Sequence, residues 1–430
     1  MKYFTCCILL AALLVSCKNK SPKIVGKVYV DSLISHYTLP KAVEINDKDM
    51  QFWKSRIDPK NPRQVNESKY ASTLVARFHF FGDINDVKHA DSIYNQVNKT
   101  YNNTLAGPFV ALTSTAMLQH HFSMADSLFE KAKKLGVDNF TLNTLTFDVN
   151  FELGRYNTAG IYLSRLKRDK DYGYFFRRSK YDHFNGTIDS AISAMTKAAS
   201  LSEKSPLLES IALSNAADLN IHAGDLQKAG ELYKQCIKLN SADFHSILGL
   251  GWVALVGDKN DTLAEKLFKF VLTKNKLPDP LFKLYQMAQQ RGDKTLEKKY
   301  AEDFTTKATD SIYGRMYNKY TIEIYTGILN NPAKAEALAK DELTNRSTPQ
   351  TWAWYAYTLF KNNKHTEAYK VFEQHVSGQP LEGLELYYMG EMMKGLGKGY
   401  NAGEFFKAAK KNQYDLSPAL EKDLEKNLEE

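Results

Sequence analysis

Apolar side chains recur every three or four positions over most of this chain, the interval of one turn of an α-helix. Laid beside one another, the apolar stretches show a column of alanine. Ala90, Ala125, Ala159, Ala191, Ala229, Ala264, Ala335, Ala368 and Ala402 share it, with Glu297 in the one place alanine is missing, and its steps run from 32 to 38 residues. Four positions later stands a large side chain: Tyr94, Phe129, Met195, Tyr233, Phe268, Phe372 and Phe406. A second column of small residues, Thr113, Ser179, Ala217, Gly251, Ala356 and Gly390, belongs to the stretch before each of these, and Gly82, Gly154, Gly186, Gly224, Gly292 and Gly397 fall at the breaks. Two antiparallel helices pack closely only where small residues meet, and glycine accepts the positive φ that follows a helix end. The pattern predicts an all-α chain built from about ten helix-turn-helix units.

The sharpest unit carries Trp352, Tyr355, Ala356, Leu359, Ala368, Phe372 and Pro380, and Ala402 follows Ala368 by 34 residues. This resembles the tetratricopeptide repeat. The resemblance implies a right-handed α-solenoid over residues 67–416, with 417–430 as a charged capping helix. It is weaker near residues 172, 278 and 316, where Asp182, Glu297 and Glu323 occupy columns that are usually apolar or small. In the family, side chains of the first helices line a concave groove that holds a peptide or a helix. Carried onto this chain, those columns contain Phe176, Lys180, Trp252, Phe282, Gln286, Tyr317, Tyr320, Tyr357, Phe360, Tyr387 and Glu391, a candidate partner groove with exposed aromatic anchors.

The N-terminal residues read differently. Met1-Lys2 precedes an apolar run from Phe4 to Val15, too short to span a bilayer, and polarity returns at Lys18. Leu14-Val15-Ser16-Cys17 resembles the lipobox of bacterial lipoproteins. The resemblance implies a signal peptide over 1–16, lipid attachment at Cys17, and a short tether over 17–24. Lys18 in place of aspartate implies the outer membrane, facing the periplasm, with the cell surface as the other destination. Residues 25–66 are expected to cap the array or to bind a partner, with helices over Val28–His36 and Asn46–Ile57 and Asn46 as the N-cap of the second.

Composition narrows the chemistry. Net charge is +8 over 430 residues, too small an excess for a dedicated nucleic-acid binder. The basic and aromatic stretch Arg165, Lys167, Arg168, Arg177 and Arg178 is the candidate contact for an anionic surface. Cys236 sits in a packing column and is expected to be buried. His120 and His121 are expected on a solvated turn, and His365 and His375 on opposite helices of one unit, with no ligand set for a metal. No phosphate loop, dinucleotide fingerprint or nucleophile elbow is present, so no cofactor and no enzymatic activity are expected.

These readings converge on a membrane-anchored helical-repeat scaffold with protein partners in the cell envelope. The alternative is a nutrient- or peptide-binding lipoprotein working with an outer-membrane transporter, disfavoured because no repeat step is long enough for an inserted ligand site. Replacing Cys17 by alanine is expected to abolish incorporation of labelled fatty acid and to move the protein from the membrane to the soluble fraction. Retention on membranes without label would count against the lipobox.

Overall fold

The computed structural model describes residues 23–429, so Cys17 and the lipobox lie outside the described residues. Within them the chain is helical, without a strand. After α1 (Lys27–Ser35) and α2 (Lys41–Lys54) come ten hairpins: α3 (Gln64–Phe81) with α4 (Ile84–Thr100), α5 (Ala106–Leu118) with α6 (Phe122–Leu135), α7 (Asn139–Glu152) with α8 (Tyr156–Arg165), α9 (Tyr172–Phe184) with α10 (Ile188–Leu201), and α11 (Pro206–His222) with α12 (Leu226–Leu239). The second five are α13 (Phe244–Val256) with α14 (Asp261–Lys274), α15 (Asp279–Arg291) with α16 (Lys294–Ala308), α17 (Asn318–Thr326) with α18 (Pro332–Asn345), α19 (Pro349–Lys361) with α20 (His365–His375), and α21 (Gly383–Leu396) with α22 (Ala402–Lys411). α23 (Pro418–Glu429) ends the stack. The fold is an α-solenoid of helical repeats.

Small residues do what their spacing implies. Eight column alanines, from Ala90 to Ala368, are fully buried. A Cβ on Gly251 would stand 2.5 Å from the Phe268 ring, and one on Gly390 2.5 Å from the Phe406 ring. Each ring thus lies flat on its partner helix, and dispersion over that surface holds the pair. Ser179 Oγ donates to Ala191 O at 2.7 Å, tying the two small columns together. Six of the ten second helices start on side-chain caps, among them Asp225 accepting from Lys228 N, Asp293 from Leu296 N and Asn331 from Lys334 N. Ala402 departs from its column, being the first residue of α22 and only partly buried.

The curvature set by these contacts brings the chain back onto itself. The turns of the first, second, third and fifth hairpins meet connections about five hairpins further on. Gly82, at φ 65°, presses on Asn275 and Leu277, and Lys276 N donates to Phe81 O at 2.9 Å. Asn345 Nδ2 donates to His120 O at 2.7 Å, and the His121 ring covers Gly314. Gly154, at φ 77°, meets Ser347 and Thr348, and Gly224 meets the Tyr414 ring. Any side chain at Gly82 would combine an unfavourable φ with a clash against Asn275, and one at Gly154 an unfavourable φ with a tight 3.3 Å contact. The fourth turn stands off instead: a Cβ on Gly186 would meet nothing within 4 Å, and a gap of about 520 Å³ is lined by Gly186 on one side and Pro380, Leu381 and Glu382 on the other.

The N-terminal segment divides into two parts. α2 covers the first hairpin, with buried Asn46 Nδ2 donating to Thr73 O at 3.1 Å, so Asn46 is an interior residue and not the expected N-cap. Residues 23–38 leave the end of the array altogether. Asp258 accepts from Ile24 N at 2.8 Å and from Val25 N at 2.7 Å, Lys266 pairs with Asp31 at 2.6 Å, and Tyr37 packs on Phe244 and Phe270. Val25 and Val30 are fully buried there. This segment straps α12 to α14, and only α2 acts as a cap.

The close-approach contacts have a measurable consequence. Ala368→Leu is expected to overpack the α19–α20 pair and cost about 1–3 kcal/mol. Ala402→Leu, at a helix start with room beside it, is expected to lower the melting temperature far less, checked by thermal unfolding followed by circular dichroism.

Candidate functional site

The inner face of the superhelix encloses a cavity of about 350 Å³. α11, α13, α15 and α17 supply one wall, and the connection into α23, with Leu416, Ser417 and Leu420, closes the other. Ser417 Oγ donates to Gln289 Oε1 at 3.2 Å, holding that closure. Trp252, Phe282 and Tyr320 face the cavity, and the Phe282 and Tyr320 rings meet at 4.5 Å.

Charged side chains of both signs enter the same space. Asp218 accepts from Tyr233 Oη at 2.5 Å and sits 2.8 Å from His245 Nε2. The Asp218 charge pushes the His245 imidazolium up to about 9. Burial opposes ionisation of Asp218, but His245 and Tyr233 outweigh it and hold the carboxyl below its usual range. His222 meets Asp415; burial disfavours its proton, yet the hydrogen bond and charge of Asp415 leave its pKa raised. Lys319 reaches Glu382 and Glu385, each at 3.5 Å, and Trp354 Nε1 donates to Glu385 at 2.6 Å.

Two charges lack such partners. The Lys283 ammonium lies 3.9 Å over the Trp252 ring and donates to Gln286 Oε1 at 3.3 Å, with no carboxylate at ion-pair distance. Burial pushes it down to about 8. Glu323, 9% exposed, has one carboxylate oxygen without any hydrogen-bond partner, and burial pushes it up to about 7. Sequence reasoning singled out Glu323 only as an irregular column and passed over Lys283, Asp218, His222, His245 and Asp415. The one available signal was that irregularity, since a carboxylate in a packing column is costly without a reason.

The residues assigned to a partner groove fall into two groups. Trp252, Phe282, Tyr320, Phe176 and Lys180 border the interior cavities. Tyr357, Phe360, Tyr387 and Glu391 lie in the last two hairpins. There Tyr357 stacks on Tyr388 at 4.1 Å, the Phe360 ring covers Gly395, Tyr387 Oη donates to Asp423 at 2.6 Å and Glu391 accepts from Asn427. Trp252, Phe282, Tyr357 and Tyr387 are 5–8% exposed, so the expected free aromatic anchors are wall and core. Gln286 and Tyr317 are buried as well. The cause is curvature: the expected open groove is narrowed by the next superhelical turn and by α23.

The basic stretch also divides. Arg177 makes a two-pronged pair with Asp148 at 2.9 and 2.6 Å, Arg178 pairs with Asp182, and Lys180 with Glu152. Arg165, Lys167 and Arg168 remain exposed, Arg165 over Tyr162 and Arg168 over Phe140. His120 and His121 are not on a solvated turn: they fill the seam, where burial and then Arg346 push His120 down to about 4. His365 and His375 share α20 and do not oppose each other across a unit; His375 stacks on Trp352 at 3.7 Å. Cys236 is fully buried, its Sγ near Ser210 O and Asp243. Among the described residues no group of His, Cys, Asp or Glu has the arrangement of a metal site, and no helix is long and apolar enough to cross a membrane.

Comparison with known proteins agrees at the level of the repeat. Residues 211–243, the fifth hairpin, match the tetratricopeptide repeat family. Solved structures with similar architecture include the human IFIT1 dimer with m7Gppp-AAAA (13% identity, 77% of this chain and 76% of that one, TM-score 0.45). A tetratricopeptide repeat protein from Parabacteroides merdae ATCC 43184 is 14% identical over 60% of this chain and 99% of that one, with a TM-score of 0.34. Yeast Tom70 is 14% identical over 94% and 90%, with a TM-score of 0.38. No curated protein matches this chain in sequence.

The His245–Asp218 pair yields a direct test. A raised folded pKa contributes stability that is complete below the ordinary histidine value and is lost as pH rises through about 9. In a proton-NMR titration His245 is therefore expected to stay protonated at neutral pH, and Asp218→Asn to return it to the ordinary range near 6.5.

Proposed function

We propose that this chain is a membrane-anchored scaffold, tethered through Cys17 on the periplasmic face of the outer membrane, that binds protein partners of the bacterial cell envelope. Support for the anchor is the Leu14–Cys17 lipobox, and support for a binding role is the tetratricopeptide-type solenoid. The observation that carries the reading is a group of exposed apolar side chains on the second and third hairpins. Met124 and Leu135 of α6, Phe140 of α7 and Ile161 of α8 are 39–55% exposed. Arg165, Lys167 and Arg168 stand exposed beside them, and Arg168 lies 5.8 Å from the Phe140 ring centroid. Large apolar side chains bordered by arginine are the composition of a protein-binding surface, here one suited to an acidic partner. With the inner aromatics buried, the partner surface moves from the concave face to this one.

A photo-crosslinking residue placed at Phe140 or Ile161 is expected to capture envelope proteins in cells, and one at Lys298 on α16 is not. Arg165→Glu with Arg168→Glu is expected to cut the yield at Phe140 several-fold without changing the melting temperature. Equal capture at all three sites would overturn the surface.

A further inference from the structure

The 350 Å³ cavity holds an arrangement that a scaffold role leaves unused. Nine aspartate, glutamate, lysine and histidine side chains line it, and seven are engaged: Asp218 with His245, His222 with Asp415, Lys319 with Glu382, and Asp279 with the Tyr317 hydroxyl at 2.7 Å. Lys283 and Glu323 are the two left over. They come from neighbouring first helices, α15 and α17, and influence each other's charge, yet they do not form an ion pair. An ammonium and a carboxylate kept for stability alone gain most by touching, because each buried charge without a partner is costly. Here both line the cavity without touching, together with the Trp252, Phe282 and Tyr320 rings.

We infer that this cavity binds a small zwitterion with an apolar side chain, a free amino acid or a short peptide. Its carboxylate meets the Lys283 ammonium, its amino group meets the Glu323 carboxylate where that lines the cavity, and its side chain lies against Trp252, Phe282 and Tyr320. The volume lies at the small end of the range of ligand pockets, which fits a molecule of this size. An aromatic wall beside a few placed polar groups is the usual composition of such a site. The cavity opens to solvent beside the exposed His245, and the gap beside Gly186 adjoins it, sharing His222, Glu382 and Asp415. The seam is closed at the turns of the first three hairpins and the fifth, and open at the fourth.

The site needs no insertion between repeats, because the superhelical turn itself builds the enclosure. It also accounts for the irregular column at Glu323. The inference does not depend on the anchor or on the exposed apolar surface, and its test leaves both untouched.

The test is isothermal titration of the purified chain, lacking the first sixteen residues and the Cys17 thiol, with L-phenylalanine and with L-phenylalanyl-L-phenylalanine. Saturable binding of either is expected, and the tighter of the two distinguishes an amino-acid site from a peptide site. N-acetyl-phenylalanine, which lacks the ammonium, and phenylalaninamide, which lacks the carboxylate, are each expected to bind about tenfold more weakly or worse, the size of one charge-assisted hydrogen bond. Glu323→Gln is expected to weaken phenylalanine by a similar factor while leaving the affinity for N-acetyl-phenylalanine unchanged. Lys283→Met is expected to do the same for phenylalaninamide. If a variant fails to fold, as thermal unfolding will show, the two analogues on the wild-type chain still decide the matter. No saturable binding of either zwitterion, or analogues that bind as tightly as phenylalanine, overturns the inference.

Discussion

Everything in this molecule depends on a helix pair approaching closely at one small residue with a large ring laid across it. Gly251 under Phe268 and Gly390 under Phe406 show the contact at its tightest. The interaxial distance and angle of each hairpin follow from it, since the ring fills the space that a Cβ would otherwise occupy. With a ring at this position in six of the ten hairpins (Tyr94, Phe129, Tyr233, Phe268, Phe372 and Phe406) and a smaller side chain in the rest, a small rotation per unit becomes a superhelix. Its curvature is tight enough for the turn of one hairpin to meet the connection five hairpins later.

That return converts a row of local contacts into a closed object. Repeat arrays ordinarily hold together by nearest-neighbour contacts alone. Here Lys276 with Phe81, Asn345 with His120 and Asp415 with His222 join residues nearly two hundred or more positions apart. The strap formed by residues 23–38 adds a third kind of long-range contact through Asp258. Such contacts make the middle of the array cooperative with its ends and remove the open concave face on which tetratricopeptide arrays usually receive a peptide. What remains inside is a set of small, polar, aromatic-walled spaces.

Electrostatics inside the enclosure follow from the same geometry. First helices of successive hairpins run side by side, so charges on them face one another across the lumen. Asp218 with His245 is a pair of this kind, and Lys319 reaches one hairpin further, to Glu382 and Glu385. Where a pair forms, the buried charge is stabilised. Where it does not, as at Lys283 and Glu323, the charge is left available to something that enters from solvent.

The sequence by itself determined the helical class, the ten units, their turns and the small and large columns. Each of these rests on residues close together in the chain, and one hairpin's period is visible in one hairpin's residues. Burial of Cys236 was legible for the same reason. Only the tertiary structure decided which first-helix aromatics are exposed, where residues 23–38 bind, and how the stretch from Arg165 to Lys180 divides between ion pairs and solvent. Trp252 and Tyr387 have the spacing of groove residues, but their burial depends on α23 and on a superhelical turn five hairpins away. No local pattern records that distance, because it is the accumulated rotation of many units and a few degrees in each decide whether the groove is open or closed. Glu323 marks the boundary between the two kinds of knowledge. Its misfit with the repeat is plain in the sequence, and the lysine and the rings that face the same cavity come to it only through the fold.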